Sequence, residues 1–343
     1  MKTEYRYIVF FYLLLPLFMV LCADCGVSCA EKRYMIKFAT VAPEGSAWVK
    51  CMRDLDKRLR AKSNDRIGFR IYAGGIAGDE LDVLKKIRIG QLHCSAFSGV
   101  GITEILPSWR VLDLPFLFRT RQEINGVHKE LEKLFAEEFR KKGFEYLSWA
   151  EVGDVHLFSK KEIKVRSDLR GLKIWTWSGD PVSKATFTVM GSTPIPLSIT
   201  DVTTAINTNM IDTVYAPPIG ALAMQWTMGM RYMTALPLTH STGAILVSGS
   251  YFDRIPEDLS VLLKEEVKHS MEKLSEELYR QTEESVEIIK NSGLTVIPAP
   301  EGNVLDRFYE IYDRVSKDLT GVVYSEELLE RVRSILRKIR NSQ

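Results

Sequence analysis

The stretch Asp168-Leu169-Arg170-Gly171-Leu172-Lys173-Ile174-Trp175-Thr176-Trp177 decides how this 343-residue chain is read. Ser167 and Asp168 open a turn, and Lys173 to Trp177 reads as a strand. Side chains alternate across a strand, so Trp175 and Trp177 fall on one face. Asp180-Pro181 then starts a helix through Met190, with proline near its first position.

Outward from this point, strands and helices alternate. Tyr34 to Thr40 reads as a strand. A helical pattern from Ala47 to Ala61 follows, with Trp48, Met52, Leu55 and Leu59 on one face. Ile67 to Tyr72 and Gln91 to Phe97 are further strands, flanking a helix that Asp79 can cap and Gly90 ends. Gln122 to Lys142 is helical. Phe144 to Ala150 reads as one strand, and another begins at Val155. Pro194 and Pro196 mark an extended connection, Thr200 or Asp201 caps a helix over Val202 to Asn207, and Met210 to Tyr215 is a strand. The longest helical pattern runs from Pro256 to about Asn291, with Gly293 as its stop. Its apolar positions thin after Leu278, which favours a helix across the body of the protein over a coiled coil. Two more helices follow from Val304 to Arg340. The alternation argues for α/β sheets with helices packed on their faces.

Composition is that of a globular protein, 45% apolar and 26% charged, with a formal net charge of +2. No basic stripe suggests nucleic acid as a partner. Lys2 and Arg6 precede an apolar stretch from Tyr7 to Leu21, short for a bilayer span, and Ser28-Cys29-Ala30 follows. This reads as a signal peptide over residues 1–30 for export to the periplasm, with a retained anchor as the less favoured alternative. Among Cys22, Cys25 and Cys29, Cys29 fits a lipidation site best, but none fits well. Cleavage leaves Cys51 and Cys94, which an exported protein could pair, although two small buried hydrophobes is the better reading. The five histidines are scattered without metal-ligand spacing, and no nucleophile elbow or paired-carboxylate motif asks for an enzyme. Gly74–Gly78 lacks phosphate-loop spacing and reads as a turn. No cofactor is expected.

Four segments, in order, resemble a known family. They are Ala73–Glu80 with Gly90-Gln91-Leu92, Leu112–Arg119 (LDLPFLFR), Asp168–Ile174 (DLRGLKI), and Thr204–Asp212 (TAINTNMID). Together they resemble the periplasmic solute-binding proteins of TRAP transporters, the DctP family, over nearly the whole mature chain. The resemblance implies a two-lobed periplasmic binding protein fold with a long helix spanning both lobes. It would place 34–152 and 241–281 in the first lobe, and 153–240 and 282–343 in the second. A ligand would be trapped in the cleft by hinge closure and handed to membrane permease subunits.

The chain departs from that family where the ligand is held. Trp175 stands where relatives carry an arginine for the ligand's carboxylate. Val155 replaces a second polar anchor, and Ala216 replaces an asparagine. Ile199 aligns loosely with an aromatic position. An arginine fork matches a carboxylate, so losing these anchors together moves the expected ligand from an organic acid to a hydrophobic or amphipathic small molecule. The alignment suggests Trp175, Val155, Tyr215, Ala216 and Ile199 as an apolar wall. Trp48, Phe97, Ser98 and Trp177 are further ligand-binding candidates. Met224 to Met233 is a soft apolar cluster suited to a ligand or a partner. Members lacking the arginine suggest a helical-repeat periplasmic partner. Two alternatives stand: a carboxylate held by another base, Lys173, Arg231 or His240, or an interaction protein with a collapsed cleft.

Overall fold

Strand β4, Phe144–Ser159, organises the molecule. The computed structural model describes residues 32–342, so the signal-peptide, anchor and lipidation expectations lie outside the described residues. Among the described residues, no helix is long and apolar enough to cross a membrane. The two strands expected within residues 144–158 are this single strand. It carries register shifts at Tyr146/Ser148 and Glu151/Gly153 against its neighbour β9, Thr239–Ser248. Gly153 has φ 110°, a backbone geometry that glycine takes without steric cost.

From Phe144 to Val155, β4 pairs antiparallel with β9. From His156 to Ser159 it pairs with β7, Thr213–Ala216. Two sheets therefore share one strand. The first has the order β2-β1-β3-β9-β4, with β1 Tyr34–Ala39, β2 Ile67–Tyr72 and β3 Cys94–Phe97. The second continues β4-β7-β5-β6, with β5 Lys173–Trp177 and β6 Thr193–Leu197. Short strands β8 Tyr232–Thr234 and β10 Thr295–Ile297 join it beside β4. Each sheet is the core of one lobe. The extended connection at Pro194 and Pro196 is strand β6, which tolerates two prolines because it lies at the sheet edge. No element is expected over Thr239–Ser248, yet β9 pairs with both β3 and β4.

Helix α1, Ala47–Lys62, starts where Ser46 accepts from the Val49 amide, and it buries Val49, Met52, Leu55 and Leu59. Helix α2, Glu80–Arg88, begins after Asp79, but the Asp79 carboxylate makes no cap. The expected capping role is overturned because that carboxylate accepts bonds from the other lobe, described below. Helices α3 Gly99–Thr103 and α4 Arg121–Lys141 complete the helices before β4. In the second lobe, Asp180 caps α5, Pro181–Met190, accepting from the Val182 and Ser183 amides. Short helices α6 Val202–Asn207 and α7 Pro218–Ala223 flank β7, and α8 Gly249–Phe252 follows β9.

Helix α9, Glu257–Asn291, is 35 residues long, roughly 50 Å at 1.5 Å per residue. Leu259, Leu263, Val267, Met271, Leu274 and Leu278 pack into the first-lobe core with Met52, Leu55 and Leu59. Farther along, Ile289 packs into the second-lobe core with Trp175 and Val214. The helix spans both lobes because its apolar stripe serves two cores in succession. The C-terminal helices divide. Helix α10, Gly302–Leu319, packs on α5 of the second lobe. Helix α11, Glu326–Asn341, expected with the second lobe, packs on α4 of the first, where Arg340 Nε donates to Glu123 at 2.8 Å. Among the described residues, Cys51 and Cys94 are both free thiols.

Candidate functional site: the interlobe cavity

A cavity of about 260 Å³ lies between the lobes. Trp175, Trp177, Tyr215, Ala216, Val155 and Ile199 border it from the second-lobe strands and the loop after β6. Trp48, Phe97 and Ser98 border it from the first lobe. The nine candidate residues, dispersed between Trp48 and Ala216, are thus brought to one cavity. The cleft is not collapsed.

The second-lobe wall is aromatic. β5 and β7 are neighbours, so alternate residues from each project to the same side of the sheet. Trp175 stacks on Tyr215 with ring centroids 5.0 Å apart and planes 25° apart. It meets Trp226 edge-on at 5.2 Å and Trp177 at 5.9 Å. Its indole Nε1 donates to the Leu197 carbonyl at 3.1 Å, which fixes the ring. A buried tryptophan whose N–H is satisfied presents only apolar surface. Met224 and Trp226 also border the cavity, whereas Met228 of the same cluster is 84% exposed. On the opposite side, Trp48 Nε1 donates to the Glu151 carbonyl at 3.2 Å.

One end of the cavity is polar, and sequence reasoning missed it. Glu80, Arg110, Asp113 and Asp180 border the cavity and are buried. Arg110 Nε lies 2.8 Å from Asp113, and Nη2 lies 2.8 Å from Asp180 across the cleft. Its Nη1 donates to Thr103 Oγ1 at 2.9 Å. The cavity thus contains an arginine, but all three of its nitrogens already face oxygen atoms of the protein. Glu80 accepts from the Ser98 amide at 2.9 Å, the Ser98 hydroxyl at 3.0 Å and the Gly101 amide at 2.8 Å. Burial still pushes its carboxyl up to about 7. Burial likewise pushes Asp113 up to about 6, against the pull of Arg110. The local signal was ambiguous: Asp180 reads as a helix cap, which it also is, and Asp113 sits inside an apolar run.

A second bond network crosses the lobes. Trp177 Nε1 donates to Asp79 Oδ1 and Oδ2 at 3.1 and 2.9 Å, and Ser198 Oγ donates to Oδ2 at 2.6 Å. Lys173, Arg231 and His240 do not border the cavity. Lys173 Nζ donates to the Asn209 carbonyl at 2.9 Å. His240 sits at the crossing strands, its Nε2 2.7 Å from Glu151 and its Nδ1 2.7 Å from Asp154. Burial alone would push the imidazole down, but hydrogen bonds and charge from Asp154 and Glu151 raise it to about 9.

Comparison with known proteins is consistent with this geometry. The family model described as bacterial extracellular solute-binding protein, family 7 (DctP), matches residues 38–319. A solute-binding protein of Verminephrobacter eiseniae is 27% identical over 203 residues, 58% of this chain and 60% of that relative, less than two thirds of its length. The C4-dicarboxylate-binding periplasmic protein DctP of Rhodobacter capsulatus is 19% identical over 267 residues, 76% of this chain and 79% of that one. The crystal structure of a sugar-acid-binding protein from Advenella mimigardefordensis with galactonate superposes with a TM-score of 0.85 at 19% identity. It covers 90% of this chain and 99% of that one.

Proposed function

The chain belongs to bacterial extracellular solute-binding protein family 7, the DctP family of periplasmic TRAP receptors, and from that premise we propose that its interlobe cavity captures a hydrophobic or amphipathic small molecule for delivery to membrane permease subunits. The family is one of receptors and not of enzymes, so binding, closure and release make up the whole cycle. Trp175, Trp177, Tyr215, Val155, Ala216, Ile199, Trp48, Phe97 and Ser98 are the proposed ligand contacts.

The observation that carries this reading is the cavity's second-lobe wall. Where relatives are expected to present an arginine, this chain presents Trp175, its only polar atom already bonded to Leu197. Burying roughly 250 Å² of apolar ligand surface there would contribute on the order of 6 kcal/mol before association costs. A carboxylate against the same wall would lose its hydration without gaining a partner, at a cost of several kcal/mol. Mass spectrometry of small molecules extracted from natively purified protein tests the proposal. A near-stoichiometric apolar or amphipathic compound is expected, and a sugar acid or dicarboxylate in its place would overturn it. Trp175→Arg should abolish apolar binding.

A second reading, an organic acid, draws support from the relatives named for C4-dicarboxylates and seen with galactonate. It requires a free basic anchor. Lys173, Arg231 and His240 lie away from the cavity, and Arg110 is engaged by two aspartates. Thermal stabilisation by succinate or galactonate, with none by lipophilic compounds, would favour it. A helical-repeat periplasmic protein remains a proposed further partner, to be tested by direct binding of the two purified proteins.

A further inference from the structure

We infer that the polar end of the cavity recognises an ammonium or similarly N–H-rich head group on the ligand, and that it rejects a carboxylate there. This rests on the reading that the cavity takes an apolar or amphipathic molecule, and it names the head group of that molecule.

The charge at this end is lopsided. The charged residues bordering the cavity are one cation, Arg110, and three carboxylates, Glu80, Asp113 and Asp180. Arg110 stands between two of the carboxylates at 2.8 Å each, so no face of its fork is left for an incoming anion. The spare hydrogen-bonding capacity is on the acceptor side. All three hydrogen bonds that Asp180 accepts, from Arg110 Nη2, the Val182 amide and the Ser183 amide, arrive at Oδ1, which leaves Oδ2 to a donor. Asp113, 5% exposed, is already served: it faces Arg110 Nε at 2.8 Å and accepts from the Thr242 amide, so the spare capacity lies with Asp180.

An independent group marks the same place as a contact. Ser183, 7% exposed, borders the cavity one helical position beyond Val182, and its Oγ, beside the Tyr215 hydroxyl, makes no hydrogen bond of ordinary geometry. A buried hydroxyl can donate or accept, so Ser183 marks a ligand contact, and the free oxygen of Asp180 is what asks for a donor there. An ammonium supplies three donors and the missing positive charge. A carboxylate supplies neither and adds a like charge beside three others. The upward displacement of Glu80 and Asp113 by burial is what carboxyls short of compensating charge display.

The test uses the whole exported protein and three probes with one alkyl chain: n-octylamine, n-octanol and octanoate. Binding is followed by tryptophan fluorescence and calorimetry at about pH 8, above the values of both displaced carboxyls. Octylamine should bind at least about tenfold more tightly than octanoate, a difference of ~1.4 kcal/mol, with octanol between them. In Asp180→Asn, where asparagine still caps α5, that preference should fall severalfold. Equal or tighter binding of octanoate overturns the inference. So does an undiminished preference in Asp180→Asn that retains its native circular dichroism. If Asp180→Asn does not fold, Ser183→Ala decides: octylamine should weaken by about threefold, and no change overturns the inference. Octanol separates the two levels. Octanol binding without amine preference discards the head group and keeps the apolar wall. Amine preference without octanol binding does the reverse, and failure of all three probes overturns both.

Discussion

Arg110 between Asp113 and Asp180, and His240 between Glu151 and Asp154, are built alike. In each, one buried cation lies between two carboxylates at 2.7–2.8 Å. They differ in what they join. The histidine and its two partners all sit on the crossing strands β4 and β9, which run together through the hinge. The arginine reaches from the first lobe to Asp180 of the second, so opening the cleft must break one of its two ion pairs. A parting of the lobes would leave the cluster on the crossing strands intact and would break the one across the cleft. The cations differ too: an imidazole can give up its proton near neutral pH, and a guanidinium cannot.

Removing a cation tests this contrast most severely. Arg110→Met should lower unfolding free energy by about 3–5 kcal/mol in urea titrations, because two buried carboxylates lose their partner. A loss below about 1 kcal/mol would mean that the cluster does not hold the lobes.

Proton loss should act on the hinge next. The folded-state value of His240, about 9, is raised above the ordinary 6.5. Its stabilisation is therefore fully present below about pH 6.5 and fades as pH climbs through 9. Integrated over that window, the loss is about 3 kcal/mol. His240→Gln should flatten the stability profile between pH 6.5 and 9, and an unchanged slope would assign the pH dependence elsewhere.

The Asp79 network should respond less. Trp177→Phe deletes the N–H donated to Asp79 and, being one ring smaller, some buried apolar surface as well. It should cost at least about 2 kcal/mol, the scale of a hydrogen bond to a charged group. Because the bond spans the lobes, small-angle scattering should show a shift toward open forms. The smallest effect belongs to Asp154→Asn. That side chain is 40% exposed, so solvent screens its pairing. Stability should change by less than about 1 kcal/mol, while the His240 titration followed by NMR moves downward. A larger loss would make Asp154 as structural as Glu151.

Much of this architecture was legible locally. The apolar spacing of α9 marked a helix lying across the body of the protein, and Asp180-Pro181 marked the start of α5. The four ordered segments placed the chain in its family, and the substitution at Trp175 directed attention to the second-lobe wall. Other features lay beyond local reading. β9 was hidden because Gly243 interrupts an otherwise strand-like run, and its close approach to the Phe97 carbonyl is visible only once β3 lies beside it. Asp79 looked like a helix cap because its position before α2 is a capping position, while its real partners stand 98 and 119 residues away.

The sequence by itself determined the family, the alternation of strands and helices up to β7 apart from the single strand β4, strand β6 and the short helix α3, the long helix and the aromatic character of the cavity wall. All of these depend on neighbours within a few residues or on a shared motif. Only the tertiary structure decided that the cavity has a second, carboxylate-rich end and that its arginine is already engaged. Arg110 and Asp180 lie 70 residues apart in the chain. Charge neutralisation depends on distance in space, and folding brings those two side chains to 2.8 Å across a cleft whose sides belong to different lobes.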